Sequence, residues 1–417
     1  MTQYRRTTGT IAAVAALALT ATACSSKSTA AGDTEEGGIK TGPGVTKDTI
    51  TIGVMSDLTK VFGPLGKTLT AGNQLYFDSV NANGGICERE VKIEVRDHAY
   101  DVQQATTQFA ELEPKVAGFV QILGSPIVGA LQPQLQAKKA TAIPATWSHD
   151  WLGKDGLVLV GGSYAGDMIN GLDYLVAEGK LKEGDTVGHI GFKNDLGLDA
   201  MKGSEHAAEK LGLKVKKIEI APTDTDLSAQ VNTLVGDKVK AILVSAGPKQ
   251  TASAAGVASA AGLDVPFLVN GPGFDPALLD TPAKAALEKN LYVATSYEPY
   301  AGESEGSKAI KEAYDKAHAD GKPTMYVNYG YASAKVMGDA LQAACDSKDL
   351  SREGVAKALR SLTEVQTDGV MPAMDLSKGD AFPTTDSYIS VVDAQTPGGL
   401  KVVKEPFTAT ISEGFGG

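Results

Sequence analysis

The chain has 417 residues, of which 42% are hydrophobic and 21% charged, and its formal net charge is −11. This length is enough for two domains of ordinary size. The acidic excess is distributed along the chain and argues against nucleic-acid binding, because that activity needs a basic stripe. We therefore expect no nucleic-acid partner.

The first 24 residues have the pattern of a bacterial export signal. Arg5 and Arg6 precede an uncharged run over residues 11–23, which is too short to cross a bilayer as a helix. The sequence ATAC, ending at Cys24, is similar to a lipoprotein cleavage site, although the usual leucine three places before the cysteine is missing. We expect residues 1–24 to be a lipoprotein signal and Cys24 to carry a membrane lipid anchor. The alternative is a soluble secreted protein cut near Ala23.

Residues 25–48 follow this signal and are rich in Ser, Thr, Gly, Lys and Glu. They show no apolar periodicity, and this composition cannot bury a core. We therefore expect a flexible tether, with ends about 25–30 Å apart if it is a random coil.

From residue 49 onward, short apolar runs with strand periodicity alternate with helical patterns. The predicted strands are 49–55, 91–97, 116–123, 141–145, 157–160, 186–192, 214–220, 241–245, 267–270, 291–294, 388–392 and 400–403. The predicted helices are 66–80, 102–112, 128–138, 167–179, 198–211, 227–235, 249–261, 307–319, 331–344 and 352–361. Repeated strand–helix–strand units build parallel sheets, so the chain is predicted to have an α/β fold. Such folds bind ligands at the carboxyl ends of their strands.

Two kinds of chemistry receive little support from the sequence. The five histidines show no spacing typical of metal ligands, so we expect neither a metal nor another cofactor. Ser163 follows a predicted strand within GGSYA, which is similar to the nucleophile elbow of hydrolases except that Ala165 replaces the closing glycine. A hydrolase that uses Ser163 is therefore a less favoured alternative, and we expect the protein not to be an enzyme.

The segments IGVMSDL (52–58), GPLG (63–66), VNANGGI (80–86) and DHAYD (97–101) form a more specific pattern. Their order and spacing resemble the Leu/Ile/Val-binding family of extracytoplasmic solute receptors, which serve ABC importers. The likeness continues more loosely to about Asp393. It implies the type I periplasmic binding protein fold, in which two Rossmann-like lobes with parallel-core sheets are joined by a three-stranded hinge.

The resemblance also implies where the lobes divide. Lobe 1 is expected to contain residues 49–161 and 295–385, and lobe 2 to contain residues 162–294 and 386–417. The crossings would lie near Gly161, Thr295 and Pro383. In the family fold the late helix that ends at Cys345 returns to lobe 1, which also carries Cys87. These two cysteines are a disulfide candidate in an oxidising compartment, and the alternative is a pair of buried free thiols.

The family binds its ligand at strand ends that face the cleft. Ser125 follows a strand and begins a helix, so its hydroxyl and nearby backbone N–H groups suit a carboxylate, although the same residue type also caps helices. The resemblance implies that Ala145 and Thr146 hold the ligand's carboxylate and amino groups. We predict that Trp147 covers the ligand and can use its indole N–H, whereas Trp151 is structural. The other predicted ligand contacts are Phe62, Leu65, Tyr164, Asp195 and Asn270.

One departure from the family pattern concerns the ligand. The amino-acid receptors of the family carry a glutamate that pairs with the ligand ammonium, and Asn270 stands at this place here. Because a charge-assisted hydrogen bond is stronger than a neutral one, this change argues against an α-amino acid unless Asp195 or Asp275 takes the role. The expected ligand is a small metabolite, either similar to a branched-chain amino acid or an amide or carboxylate.

Taken as a whole, the sequence predicts a monomeric, extracytoplasmic, lipid-anchored substrate-binding protein of an ABC importer. The lobes would close on the small-molecule ligand by a hinge motion, and the closed form would dock on the importer permease. A sensory receptor of the same fold, which passes closure to a signalling partner, is the alternative. The sequence does not separate these two roles.

Overall fold

The computed structural model describes residues 34–36 and 38–415. The predicted signal peptide, including Cys24, lies outside this part of the chain, as do tether residues 25–33 and 37. The described residues form three sheets. Their strands are β1 (Thr34–Glu36), β2 (Ile39–Thr41), β3 (Thr49–Ser56), β4 (Glu90–Asp97), β5 (Phe119–Leu123), β6 (Ala142–Ala145), β7 (Thr186–Phe192), β8 (Lys214–Ile220), β9 (Ala241–Ser245), β10 (Phe267–Asn270), β11 (Leu291–Thr295), β12 (Asp349–Leu350), β13 (Ser387–Val392) and β14 (Leu400–Phe407).

Helices connect most of these strands. The α-helices are α1 (Gly63–Ala82), α2 (Val102–Leu112), α3 (Ser125–Lys138), α4 (Tyr164–Ala177), α5 (Asp195–Leu211), α6 (Ser228–Gly236), α7 (Pro248–Ala260), α8 (Lys284–Asn290), α9 (Glu305–Ala317), α10 (Tyr326–Asp346) and α11 (Arg352–Leu359). Short 3₁₀ helices lie at Glu113–Lys115, His149–Trp151, Gly271–Gly273, Pro276–Asp280 and Thr410–Ser412.

The first large sheet has the order β4-β3-β5-β6, and all its strands are parallel. Its two faces carry different apolar side chains. Ile52 and Val54 belong to the core cluster that includes residues of α1 and α10, whereas Met55 and Phe119 belong to the cluster with residues of α2 and α3. The sheet is covered on both sides, as parallel sheets usually are. We call this sheet and its helices the four-stranded lobe.

The second large sheet has the order β14-β13-β11-β10-β9-β7-β8. The five strands from β11 to β8 are parallel, and β13 and β14 add an antiparallel edge. Every residue of β9, the middle one of the five parallel strands, is buried, which fits a strand covered on both faces. We call this sheet and its helices the seven-stranded lobe. The predicted α/β fold with two parallel-core lobes is confirmed.

The longest helices of the described chain, α1 and α10, pack closely on each other. A Cβ atom added to Gly72 would lie 2.2 Å from the Val327 carbonyl oxygen, and one added to Gly330 would lie 2.1 Å from the Leu69 carbonyl oxygen. Two glycines therefore let the helix backbones approach, and they bring α10 back to the four-stranded lobe.

The structure joins Cys87 and Cys345 by a disulfide bond, with their Cα atoms 5.9 Å apart. Cys345 lies in the last turn of α10, and Cys87 follows the turn after α1. The bond therefore fixes the end of α10 to the four-stranded lobe.

The chain passes between the lobes three times, after β6, after β11 and before β13. These crossing segments lie side by side. The backbone N–H of Gly162 donates to the Ser296 hydroxyl over 2.8 Å, and the N–H of Glu298 donates to the Val370 carbonyl over 2.9 Å. The lobe boundaries given above stay predictions.

Two sequence expectations differ from the structure. The predicted strand 157–160 makes one bridge, between Leu157 and Ala142, because the chain then leaves the sheet for the first crossing. Part of the predicted tether is ordered: β1 pairs with β2, and β2 pairs with the distant strand β12. Three-residue strands that depend on a partner 300 residues away give no periodic signal, which is why the composition suggested a coil.

None of the helices in the described part of the chain combines the length and hydropathy needed to span a membrane.

Candidate ligand-binding cleft

A small cavity of about 20 Å³ lies between the two lobes, next to the carboxyl ends of several strands. Six of the predicted ligand contacts line it: Phe62, Leu65, Ser125, Ala145, Trp147 and Tyr164. The remaining lining residues are Tyr100, Leu123, Gly124, Leu196 and Pro272. We call this space the cleft cavity. Its wall is largely aromatic and aliphatic, with the Ser125 hydroxyl as a polar point.

Two local features position the first residues of the wall. The Asp57 carboxylate accepts the backbone N–H groups of Thr59, Lys60 and Phe62, which fixes the loop that carries Phe62 to the start of α1. Gly124 has a φ of 102° and lies just before Ser125, the first residue of α3. A residue with a side chain would be strained at this φ, so glycine is needed for the turn.

A chain of buried polar groups runs from the four-stranded lobe into the seven-stranded lobe. The Ser125 and Thr146 hydroxyl oxygens are 3.2 Å apart, and the Tyr164 hydroxyl donates to Thr146 over 3.4 Å. Thr146 donates to Oδ2 of Asp195 over 3.0 Å, and the indole N–H of Trp151 donates to the same oxygen over 2.6 Å. Thr146 and Asp195 therefore adjoin the cleft cavity and connect the lobes.

Burial raises the pKa of the Asp195 carboxyl, while the nearby Ser125 hydroxyl and the hydrogen bonds from Trp151 and Thr146 act in the opposite direction. The other carboxylate oxygen, Oδ1, is buried and has no hydrogen-bond partner. A buried polar atom without a partner is costly, so this end of the cleft is polar but incompletely satisfied.

Trp147 contributes its ring to the cavity, but its N–H is already used. The indole nitrogen donates to the Val160 carbonyl over 3.0 Å and to the Tyr329 hydroxyl over 3.2 Å. The ring packs edge-on against Tyr164 and Tyr329. The ring of Trp147 can thus provide an apolar surface that covers a ligand. Trp151, which was predicted to be structural, donates a hydrogen bond to Asp195.

A second space of about 370 Å³ adjoins the cleft cavity and shares Phe62, Leu65 and Pro272 with it. We call it the outer groove. Its other lining residues are Lys60, Val61, Pro64, Pro248, Lys249, Phe274, Asp275, Ala277, Leu278 and Thr281. This wall is mainly apolar, and two lysines belong to it.

The structure does not bring Asn270 into the wall of the cleft cavity. Its amide nitrogen donates to the Tyr164 carbonyl and to Asp167, and its oxygen accepts from Ser245. The amide is therefore committed to the interior of the seven-stranded lobe. Asp275 lines the outer groove, where it accepts the N–H of Ala277.

Tyr100 lines the cleft cavity but was not among the predicted ligand contacts. Its position was a usable signal, because Tyr100 lies shortly after the carboxyl end of β4, within the segment DHAYD. Ala99 and Tyr100 both have positive φ angles, and the Tyr100 ring packs edge-on against Phe62. This turn was not visible in the sequence, because neither residue is typical of a left-handed conformation.

The structure gives Ser163 a helix-capping role. Its hydroxyl oxygen accepts the N–H of Gly166 in the first turn of α4. No hydrogen bond joins Ser163 to a histidine among residues 38–415. His149, which lines the same pocket as Ser163, pairs its ring with Asp199.

Residues 49–397 match a family model described as periplasmic binding protein. The chain belongs to this family. Among solved structures it is similar to a fatty acid ABC transporter substrate-binding protein from Thermomonospora curvata, with a TM-score of 0.88 and 39% identity over 90% of this chain and 97% of that one. No protein with a curated description matches the sequence.

Two further structures share the fold at lower identity. A branched-chain amino acid ABC transporter protein from Thermus thermophilus with bound valine gives a TM-score of 0.75 at 20% identity, covering 88% of this chain and 98% of that one. A leucine-binding protein from Thermotoga maritima gives 0.73 at 19% identity, covering 85% and 97%. The resemblance to the Leu/Ile/Val-binding family is confirmed.

This periplasmic binding protein is therefore a substrate-binding protein of the ABC transporter type. Its relatives are solute-binding receptors, not enzymes, and the family works outside the cytoplasm on small ligands together with transporter permeases.

Proposed function

We propose that this periplasmic binding protein takes up a fatty acid, with the carboxylate near Ser125 and Thr146 and the acyl chain in the outer groove. The observation that carries this proposal is the continuity of a polar-ended cleft cavity with an apolar groove. An amino acid the size of valine would leave the groove unused.

The polar end suits a carboxylate head group. Ser125 and Thr146 offer hydroxyl donors, and Ser125 stands at the N-terminus of α3, where backbone N–H groups and the helix dipole favour an anion. The nearby aromatic rings of Trp147 and Tyr164 would cover the first carbons of the chain.

The outer groove suits an apolar chain. Phe62, Leu65 and Pro272 form the shared boundary, so a chain that passes them enters a wall built around Phe274 and Leu278. Burying each methylene contributes about 0.8 kcal/mol, which corresponds to roughly a fourfold gain in affinity per carbon. Affinity should therefore rise with chain length until the groove is full.

The comparison with the Thermomonospora curvata protein favours the same ligand class, because that relative is named for fatty acids and is 39% identical. The amino-acid receptors are at most 20% identical, and their likeness supports the fold alone. The missing glutamate at Asn270 agrees with a ligand that lacks an ammonium group.

The remaining parts of the proposal come from the sequence. Cys24 would anchor a monomeric protein to the outer face of the cell membrane, and ligand contact with both lobes would stabilise the closed form that docks on the importer permease. A ligand that contacts one lobe only could not shift this equilibrium. A sensing role would use the same closure with a different partner.

The test is isothermal titration of the protein with butanoate, octanoate, dodecanoate and hexadecanoate, with valine and leucine in parallel. We expect the affinity for fatty acids to increase with chain length and the two amino acids to give no heat of binding. Tight binding of leucine together with no binding of any fatty acid would refute the proposal. Ligand recovered after binding should be chemically unchanged by mass spectrometry, including in the Ser163→Ala variant.

A matched pair of surface variants tests the groove. Val61 lines it and is 41% exposed, so Val61→Asp adds a charge there with little effect on folding. We expect weaker binding of dodecanoate and unchanged binding of butanoate. Val403 is 43% exposed on β14, outside the groove, and Val403→Asp should leave both affinities unchanged.

A further inference from the structure

A carboxylate of the seven-stranded lobe lies among hydrogen-bond donors of the four-stranded lobe. Asp195 is the first residue of α5, which follows β7. Its Oδ2 accepts from the Thr146 hydroxyl and the Trp151 indole, both of which follow β6. Thr146 belongs to the site where the proposed function puts the ligand's carboxylate.

From this juxtaposition we propose that Asp195 is an internal carboxylate that holds the ligand-free receptor closed and that a fatty acid must displace. This inference rests on the proposed function for the identity of the displacing group. It makes Asp195 a specificity-determining residue, because a ligand binds only if it outcompetes a carboxylate that is already part of the protein.

The hydrogen bonds of Asp195 show why displacement is feasible. It satisfies Oδ2 with two donors, but its Oδ1 is buried without a partner, so the internal carboxylate fills the site incompletely. A ligand carboxylate that approaches from the cleft cavity is not constrained by α5 and can use both oxygens. Two ionised carboxylates at hydrogen-bond distance from the same donors repel each other strongly, so they cannot share these donors while both are ionised.

The released Asp195 would retain a favourable environment. It lies in the first turn of α5, where a negative charge is stabilised by the helix dipole. The helix itself is capped by Asn194, whose side chain accepts from the N–H of Gly197, so α5 does not depend on the bonds of Asp195 to the other lobe.

Competition of this kind selects against small anions. Acetate offers a carboxylate but no chain, so it has nothing to offset the bonds that Asp195 gives up. A long-chain acid adds the burial of its methylenes in the outer groove. The internal carboxylate therefore sets a minimum apolar size for the ligand.

The experiment compares the ligand-free full-length protein with its Asp195→Ala variant by small-angle X-ray scattering and then titrates both with dodecanoate. We expect a larger radius of gyration for the ligand-free variant, and dodecanoate should return it to the wild-type value. Its dissociation constant for dodecanoate should be lower by about tenfold or more, the equivalent of one lost competing hydrogen bond. Asp195→Asn keeps the shape of the side chain without its charge and is the second variant in case the alanine variant folds poorly. It should change the radius of gyration and the dissociation constant in the same directions.

The matched control is Asp173→Ala, which removes a partly buried carboxylate from α4 of the same lobe, at a position outside the cleft cavity and the outer groove. It should change neither the radius nor the affinity. Unchanged values in both Asp195 variants would overturn the inference, and so would a tenfold loss of dodecanoate affinity, which would make Asp195 a direct ligand contact. If the radius increases but no fatty acid binds any variant, Asp195 holds the lobes together and the proposed ligand is wrong.

Discussion

The buried carboxyl group of Asp167 should make the stability of this protein depend on pH. Asp167 lies in the first turn of α4, where its oxygens accept hydrogen bonds from the Ser387 hydroxyl over 2.9 Å and the Asn270 amide over 3.2 Å. Burial raises the pKa of this carboxyl from its ordinary 3.8 to about 7 and outweighs the two hydrogen bonds, which lower it. Asn270 also donates to the Tyr164 carbonyl, so Asp167 supports a residue of the cleft wall.

The sign follows from the proton affinity of the two states. The folded protein binds the Asp167 proton more tightly than the unfolded chain, so this group favours folding at low pH, and its contribution is lost as the pH rises from about 4 to about 7. The change in pKa corresponds to a free energy of roughly 4 kcal/mol above pH 7. Asp167→Asn removes the ionisation and keeps the shape. The variant should therefore gain stability relative to the wild type by up to this amount between pH 4 and pH 8.

Urea denaturation of the wild type and Asp167→Asn at each pH unit from 4 to 8 measures this difference. Asp320→Asn is the control for the loss of one exposed carboxylate. A constant difference between Asp167→Asn and the wild type over the same range would refute the reasoning, because the carboxyl would then not titrate differently in the folded state.

Two further predictions concern the packing of α1 and α10. Gly330→Ala should lower the free energy of unfolding by a few kcal/mol, because the added Cβ would lie 2.1 Å from the Leu69 carbonyl oxygen. Gly256→Ala, on the open side of α7, is the control and should not destabilise the protein; denaturant unfolding of both variants measures the difference. Replacing Cys87 and Cys345 by serine should cost about 2–5 kcal/mol, because the bond links residues 258 positions apart, and an unfolding midpoint of the wild type that is insensitive to reductant would contradict it.

Sequence periodicity predicted the order of strands and helices because both periods are local. β7 and β8 have the predicted bounds, since their apolar and polar residues repeat with the strand period. The sequence predicted the starts of helices less accurately: α3, α4 and α5 each begin three residues before the predicted start. The first turn of a helix has no intrahelical partners for its N–H groups and need not carry an apolar stripe. Those first turns contain Ser125, Tyr164 and Asp195, all of which were predicted ligand contacts.

The sequence by itself thus determined the α/β class, the family and most of the cleft wall, because these depend on short-range patterns at strand ends. Only the tertiary structure decided which side chains meet. It uses the N–H of Trp147 inside the protein, commits Asn270 to the lobe interior, and brings Thr146 to Asp195, 49 positions further along the chain. The physical reason is that such contacts depend on how two lobes are oriented, and no local periodicity records the distance between residues on different lobes.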